Sequence, residues 1–368
     1  MPNQHLVTTI LITYDRPHLL KESVAALLRQ THTNLEIILI NNGGTGETAE
    51  YLNEVAAADS RVKLMHYEEN QWSPDDHQKY IRICLNEALQ EATGDYVWFN
   101  ADDDFIADDY LEKMVSLFEG NPECTTAAGI PVGIDIDGNR YEPGPRTTNF
   151  RPRYMPGHEM VLRSLRGEKE IFGSPGYNFT VKRDVLIQAG GYHPSIENGE
   201  RYGIVPFGVT GFDETAIFYF RRHAGQWHET LSPAGRLGID ESLALITDWD
   251  LRGRWQVFGA DVATEVVAMF EKRVCAGAAS WFMRLLYSWR FPGAIRIFRK
   301  MWNSRWFWAQ LPASATEPQW IKQVVQVPFR ESGKFGLRVV FRLVPHIEKI
   351  SPRFDELKQR INHKGFDR

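Results

Sequence analysis

LVTTILITYDRPHLLKESVAALLRQTHTNLEIILINNGG, residues 6–44, holds two unbroken apolar and β-branched runs with one amphipathic segment between them. LVTTILIT (6–13) and LEIILI (35–40) lack the alternation of a strand with one wet face, so each reads as a strand covered on both sides. Between them Pro17 suits a helix's first turn, and Leu20, Val24, Leu27 and Leu28 recur at helical spacing. The pattern continues with a helix over about 46–58, a strand at VKLMHY (62–67) and a helix through SPDDHQKYIRICLNEALQEATG (73–94), opened by Ser73 and Pro74. A strand at DYVWFN (95–100) and a helix at DDYLEKMVSLFE (108–119), capped by Asp108, follow. Strands alternating with helices predict an α/β fold, a doubly wound, mostly parallel, Rossmann-like sheet.

In such sheets ligands bind beyond the C-terminal ends of the strands. Three polar tips fall there: Thr13-Tyr14-Asp15-Arg16, Asn41-Asn42-Gly43-Gly44 and Ala101-Asp102-Asp103-Asp104. Three consecutive carboxylates repel one another. Mg²⁺ or Mn²⁺ shared with a substrate phosphate would offset that repulsion, since hard cations commonly take one or two carboxylates plus phosphate oxygens. A solvated loop is the other reading, and EF-hand spacing is absent. A second acidic pair, Asp213-Glu214, lies in GVTGFDETAIFYFRRHAG (208–225). On its own pattern the pair would simply open a helix, where acids are favoured. His193, His223 and His228 show no HxH or HExxH spacing and read as ordinary histidines.

Composition bounds the function. The 368 residues are 43% apolar and 24% charged, enough for a sizeable soluble core with an appendage. Cys84, Cys124 and Cys275 are dispersed, which argues against a disulfide framework or a zinc site and for a reducing cytoplasm. The N-terminus reads as a first strand, not a signal peptide, and no apolar run spans a bilayer. The net charge of −5 hides an asymmetry: residues 271–368 carry 19 basic and 7 acidic side chains, so an acidic body precedes a basic tail. Six of the 11 tryptophans lie between 281 and 320, interleaved with arginines. That tail either packs its aromatic face on the body or lies on a membrane surface. With no nucleic-acid module and an acidic body, nucleic acid is not an expected partner. IDIDGNRY (134–141) predicts a hairpin turning at Asp137-Gly138, and 141–157 a Pro/Gly/Arg-rich loop.

TTILITYDRPHLLKESVAALLRQTHTNLEIILINNGGTGETAEYL resembles the opening of family 2 glycosyltransferases of the GT-A fold, which run from TYNR through QT-x-x-N-x-E-I to an aspartate pair before G-S-T. Asn86 followed by Gly94 matches the family's next helix, and the aspartate triplet its metal-binding DxD region. The resemblance covers roughly 6–240. It implies an inverting, metal-dependent transfer of one sugar from a nucleotide-diphosphate sugar, UDP-sugar favoured, to a glycan, glycolipid or other hydroxyl acceptor in cell-surface glycan assembly. It implies Mn²⁺ or Mg²⁺ as cofactor and a cytoplasmic enzyme, peripheral at the inner membrane face if the tail docks there. Thr13, Tyr14, Asp15, Arg16, Asn41, Asn42 and Asp102 would form the nucleotide-sugar site, with Tyr14 and Asn41 on the base and Asp102 on the ribose. Asp103 would bind the metal and Asp104 would act through a bound water.

The family places an E-D pair before a helix ending in R-x-x-x-x-G and uses the second acid as base. Counting back from Gly225 puts Glu214 there, or Asp213 if the register slips by one. Gly190-Gly191-Tyr192 corresponds to the turn bordering the acceptor. Asn41-Asn42 replace the usual acids, Ala101 the usual first Asp of the DxD region, and Leu85 a common Arg, with Lys79 and Arg82 as candidate diphosphate contacts. The Q-x-x-R-W motif of processive polymerases is absent. The expected domains are 1–250, with a nucleotide half to about 112 and an acceptor half from 113, and a helical 255–368. Other classes stay open: a catalytically silent nucleotide- or glycan-binding protein, and a sugar nucleotidyltransferase, whose Gly-rich N-terminal loop is missing.

Overall fold

The apolar runs become the centre of a sheet. In the computed structural model, which describes residues 5–72, 79–140, 152–166, 179–193, 200–223 and 250–287, β1 (Val7–Thr13) and β2 (Leu35–Asn42) are buried at every position. Helix α1 (Pro17–Leu28) joins them, then α2 (Gly46–Ala58) leads to β3 (Val62–Tyr67). A π-helical turn (Ile81–Leu85) and α3 (Asn86–Glu91) precede β4 (Tyr96–Ala101). Next come β5 (Phe105–Ile106), α4 (Tyr110–Gly120) and β6 (Cys124–Ile134). β7 (Tyr154–Pro156), α5 (Gly157–Leu165), β8 (Phe179–Lys182) and α6 (Arg183–Gln188) follow. β9 (Val209–Arg221), α7 (Leu251–Trp255) and α8 (Ala260–Tyr287) complete the described elements.

Among the described residues nine strands form one sheet, ordered β3-β2-β1-β4-β8-β6-β9-β5, with β7 also on β9. β3, β2, β1 and β4 are mutually parallel, β8 is antiparallel to β4 and β6, and β6 and β9 are parallel. This is the expected α/β sheet, parallel through its first half and mixed beyond. Period-2 geometry sends Val7, Leu11, Leu35, Ile37, Leu39, Tyr96 and Trp98 to one face, where α1, α2 and α4 cover them with Leu20, Val24, Leu52, Met114 and Phe118.

Three expectations need correction, and others lie outside the described residues. The α4 N-cap position is Asp109, not Asp108, and neither carboxylate caps it: Asp109 pairs with Lys113 at 2.6 Å, and the Asp108 carbonyl accepts from the Thr31 N–H. Residues 209–221 form a strand, not a helix opened by Asp213-Glu214. AIFYF (216–220) alternates buried and half-buried side chains at first, so period two prevails there. The Ser73-Pro74 cap and the aromatic tail beyond 287 lie outside the described residues, as does the expected 141–157 loop as far as 151; its end is not a loop but β7 and the first residue of α5. The Asp137-Gly138 hairpin is present, with Gly138 at φ +83° and Ile134 bridged to Arg140. By contacts the chain forms two compact units, Met1–Glu229 with Glu241–Ala263, and Thr230–Asp240 with Thr264–Arg368.

Candidate active site

Register brings the polar tips together. Thr13 lies beside Asn41, and Ile12 beside both Ile40 and Ala101, so the strand ends deliver Tyr14-Asp15-Arg16, Asn42-Gly43-Gly44 and Asp102-Asp103-Asp104 to one edge. Ser23 of α1 braces the triplet from below. Its hydroxyl lies 2.8 Å from the Asp102 carbonyl and 2.5 Å from that of Asp104, while the Asn100 side chain donates to the Asp104 carbonyl at 2.7 Å.

The three carboxylates have different surroundings. Asp102 is fully buried; it accepts from the Thr13 hydroxyl at 2.6 Å and lies 2.9 Å from Arg16 Nη2. Burial pushes its pKa up to about 6 against the opposing pull of Arg16, and neighbouring Asp103 adds to the rise. Asp103 Oδ2 meets Arg16 Nη1 at 3.0 Å and His223 Nε2 at 3.2 Å. Burial opposes its ionisation, but His223 and Arg16 outweigh that and hold it below the usual carboxylate range. Asp104 accepts from the Arg221 N–H at 2.8 Å; burial first, then Asp103 and Asp102, push it well above that range.

The second tip has its own logic. Asn41 Oδ1 accepts from the Gly44 N–H at 2.7 Å while its Nδ2 donates to the Gly44 carbonyl at 2.9 Å. Asn42 Nδ2 donates to Asn70 Oδ1 and its Oδ1 accepts from the Gln71 N–H, each at 2.9 Å. Both amides therefore give a hydrogen bond that a carboxylate has no proton to give, which accounts for Asn where acids are usual. Gly43, at φ +83°, is obligatory: a Cβ there would stand 2.4 Å from the Asn70 nitrogen. Asp15, at φ +47°, accepts from the Thr45 N–H and ties the first tip to this turn. Tyr14 is 43% exposed, an aromatic surface at the rim. Leu85 is fully buried in the core, Lys79 is half-buried and Arg82 is exposed.

Gly190 and Gly191 adopt φ +95° and +85°, forming the expected turn. Asn86 holds it: its Oδ1 accepts from the Tyr192 N–H at 2.7 Å and its Nδ2 donates to the Tyr192 carbonyl at 3.1 Å.

The structure does not bring Asp213 and Glu214 to this edge. Arg221 ends β9 beside Asp104, and Glu214 lies seven residues earlier, roughly 20 Å away at ordinary strand rise. Asp213 is held locally within β9, its carboxylate accepting from the Thr215 N–H and hydroxyl, in a stretch where the β6–β9 register shifts. The full R-x-x-x-x-G spacing is met at Arg254–Gly259, one residue longer than Arg221–Gly225, and there the structure does have a helix. Asp250 caps α7 by accepting from the Gly253 N–H, a 3₁₀ turn continues it through Phe258, and Gly259 at φ +109° ends it. Arg254 donates to the Ala189 carbonyl at 2.8 Å, next to the Gly190-Gly191 turn. The stretch TDWDLRGRWQVFG (247–259) carries this spacing behind a short acidic segment, a signal legible in the sequence. His223 carries no such signal, because its meeting with Asp103 spans 120 residues.

Among the described residues no group of three or more His, Cys, Asp or Glu side chains has a metal-ligand arrangement. The pair present still fits Mn²⁺ or Mg²⁺ bound chiefly through a substrate diphosphate. Asp103 offers carboxylate and His223 imidazole side by side, and the buried Asp102 Oδ1 has no aligned hydrogen-bond donor.

Residues 8–190 match the sequence model described as Glycosyl transferase family 2. An uncharacterized glycosyltransferase of Haemophilus influenzae is 32% identical over 140 residues, 38% of this chain and 52% of that protein. The glucosyl-dolichyl phosphate glucuronosyltransferase of Haloferax volcanii is 25% identical over 194 residues, covering 50% and 55%. This chain thus spans about half the length of these relatives. Among solved structures, TarS of S. aureus superposes with a TM-score of 0.52 over 91% of this chain and 54% of that one at 11% identity, which shows a shared GT-A fold.

Proposed function

We infer, from the membership of glycosyl transferase family 2 that residues 8–190 establish for this chain, that the protein transfers one sugar from a nucleotide-diphosphate sugar to an acceptor hydroxyl. The observation carrying this reading is the convergence of Arg16, Asp103 and His223 at the C-terminal edge of the parallel strands. A cation-binding carboxylate and a guanidinium on one ledge suit a diphosphate. Tyr14 offers its exposed ring to the base, with uracil favoured by the family resemblance. Asp102 lies beneath Arg16, so a ribose reaches it only when that guanidinium turns toward the diphosphate. Asp103 and His223 would hold Mn²⁺ or Mg²⁺, whose charge would stabilise the departing diphosphate. Asp104, pinned by the Arg221 N–H, keeps the loop closed behind them.

The proton of the attacking hydroxyl needs a carboxylate on the acceptor side. The strand conformation around Glu214 and its distance from Asp104 remove it from that role in our proposal. Asp248, the second residue of Thr247-Asp248 before α7, takes its place by the family's own spacing. Attack opposite the diphosphate inverts the anomeric centre, as the resemblance implies. Release of nucleoside diphosphate from UDP-sugars, in the presence of simple glycosides as acceptors, tests the assignment. Asp248→Asn is expected to lower kcat by about two to four orders of magnitude, while Glu214→Gln stays near wild type. The reverse ranking returns the base to Glu214.

A further inference from the structure

Arg221 is heavily engaged near the triplet, and none of the roles above uses its guanidinium. Nε donates to the Asp103 carbonyl at 3.2 Å, Nη1 to the Ile136 carbonyl at 3.1 Å, and Nη2 pairs with the Glu22 carboxylate on α1. The guanidinium also lies 5.5 Å from the centre of the Phe105 ring. Arg221 itself is buried, while the Glu22 side chain is half-exposed. Two residues beyond, His223 reaches Asp103 Oδ2. One side chain thus ties together α1, the Asp103 backbone, the 134–140 hairpin and the end of β9 that carries His223.

We propose that Arg221, braced by Glu22, is a positioning residue that sets the Asp103–His223 pair for a divalent cation. The inference rests on the metal reading above. β5 pairs Phe105 with Tyr219 of β9, and Asp103 and His223 lie just beyond that pairing, where Arg221 ties the two chain ends through its N–H on the Asp104 carboxylate and its guanidinium on the Asp103 carbonyl. A guanidinium presents donors in a rigid fork, and three of its nitrogens here reach three different segments. Lysine keeps the charge but supplies one point donor, which cannot hold all three. Removing the Glu22 charge leaves the fork in place and weakens one arm, since an amide oxygen accepts less strongly than a carboxylate.

The test is Mn²⁺ binding, read by electron paramagnetic resonance on the full chain with UDP present. Wild type is compared with Arg221→Lys, Glu22→Gln and the surface control Glu47→Gln. Thermal unfolding of the metal-free proteins is recorded alongside. Expected is a loss of Mn²⁺ affinity of about tenfold or more in Arg221→Lys, the range for outer partners of metal ligands. A smaller loss is expected in Glu22→Gln and none in the control, with kcat at saturating Mn²⁺ close to wild type. Folded variants that bind Mn²⁺ as wild type does overturn the proposal. Glu22→Gln, altering a half-exposed side chain, decides the matter if Arg221→Lys does not fold. A wild-type protein that binds no Mn²⁺ overturns the metal reading, and this inference with it.

Discussion

Asn41 and Asn42 show how a single atom decides a residue's use. At these positions the turn asks for donors as well as acceptors, and only an amide supplies both. Asn41→Asp would set a carboxylate oxygen against the Gly44 carbonyl in a buried turn. A loss of about 1–3 kcal/mol in denaturant unfolding is expected, the usual cost of an unpaired buried polar group. Unchanged stability would mean the turn rearranges freely. The same amide explains why its sequence was only half legible. The tip's place at the ligand edge followed from the apolar run before it, but the replacement of acid by amide could be understood only once Gly44 was seen to need a donor. His223 was illegible for a different reason. No local spacing marks a histidine whose partner is 120 residues away.

At the scale of elements, Glu36 joins four pieces of chain. Its buried carboxylate in β2 takes the Thr8 hydroxyl of β1, Lys63 of β3, and the N–H and hydroxyl of Thr93 before β4. Burial raises its pKa, but these donors together outweigh burial and leave it lowered. A carboxylate depressed in the folded state adds stability above its unfolded pKa of about 4.3, and that contribution fades as pH falls through the folded value. Glu36→Gln should therefore cost about 2 kcal/mol at neutral pH, as for hydrogen bonds to a charged group. The gap to wild type should close in more acidic solution. A gap constant with pH would show that the amide, not the charge, sets the difference. β1, β2 and β4 were legible because covered strands are written as unbroken apolar runs. β9 was not, since RRHAG at 221–225 imitates a helix end while AIFYF just before it has the period of a strand.

At the scale of the molecule, charge is unevenly divided, with the excess of basic residues in 271–368 and an acidic remainder. No helix among the described residues is long and apolar enough to cross a membrane. The tail's tryptophans and arginines nonetheless have the composition of an interfacial segment, and we propose that it holds the protein against an anionic surface. The full chain should then sediment with phosphatidylserine vesicles at low salt and be released near about 1 M, where the screening length falls to about 3 Å. Failure to sediment at low salt would assign the aromatic face to packing within the protein.

Sugar transfer that depends on a cation held at Asp103 is the central proposal. Its most direct test follows nucleoside diphosphate release from a UDP-sugar by wild type and Asp103→Asn, each with Mn²⁺ and with EDTA. Turnover by wild type that EDTA abolishes and Mn²⁺ restores, together with loss of activity in Asp103→Asn under both conditions, is the predicted result. Turnover that survives both EDTA and the substitution would contradict it.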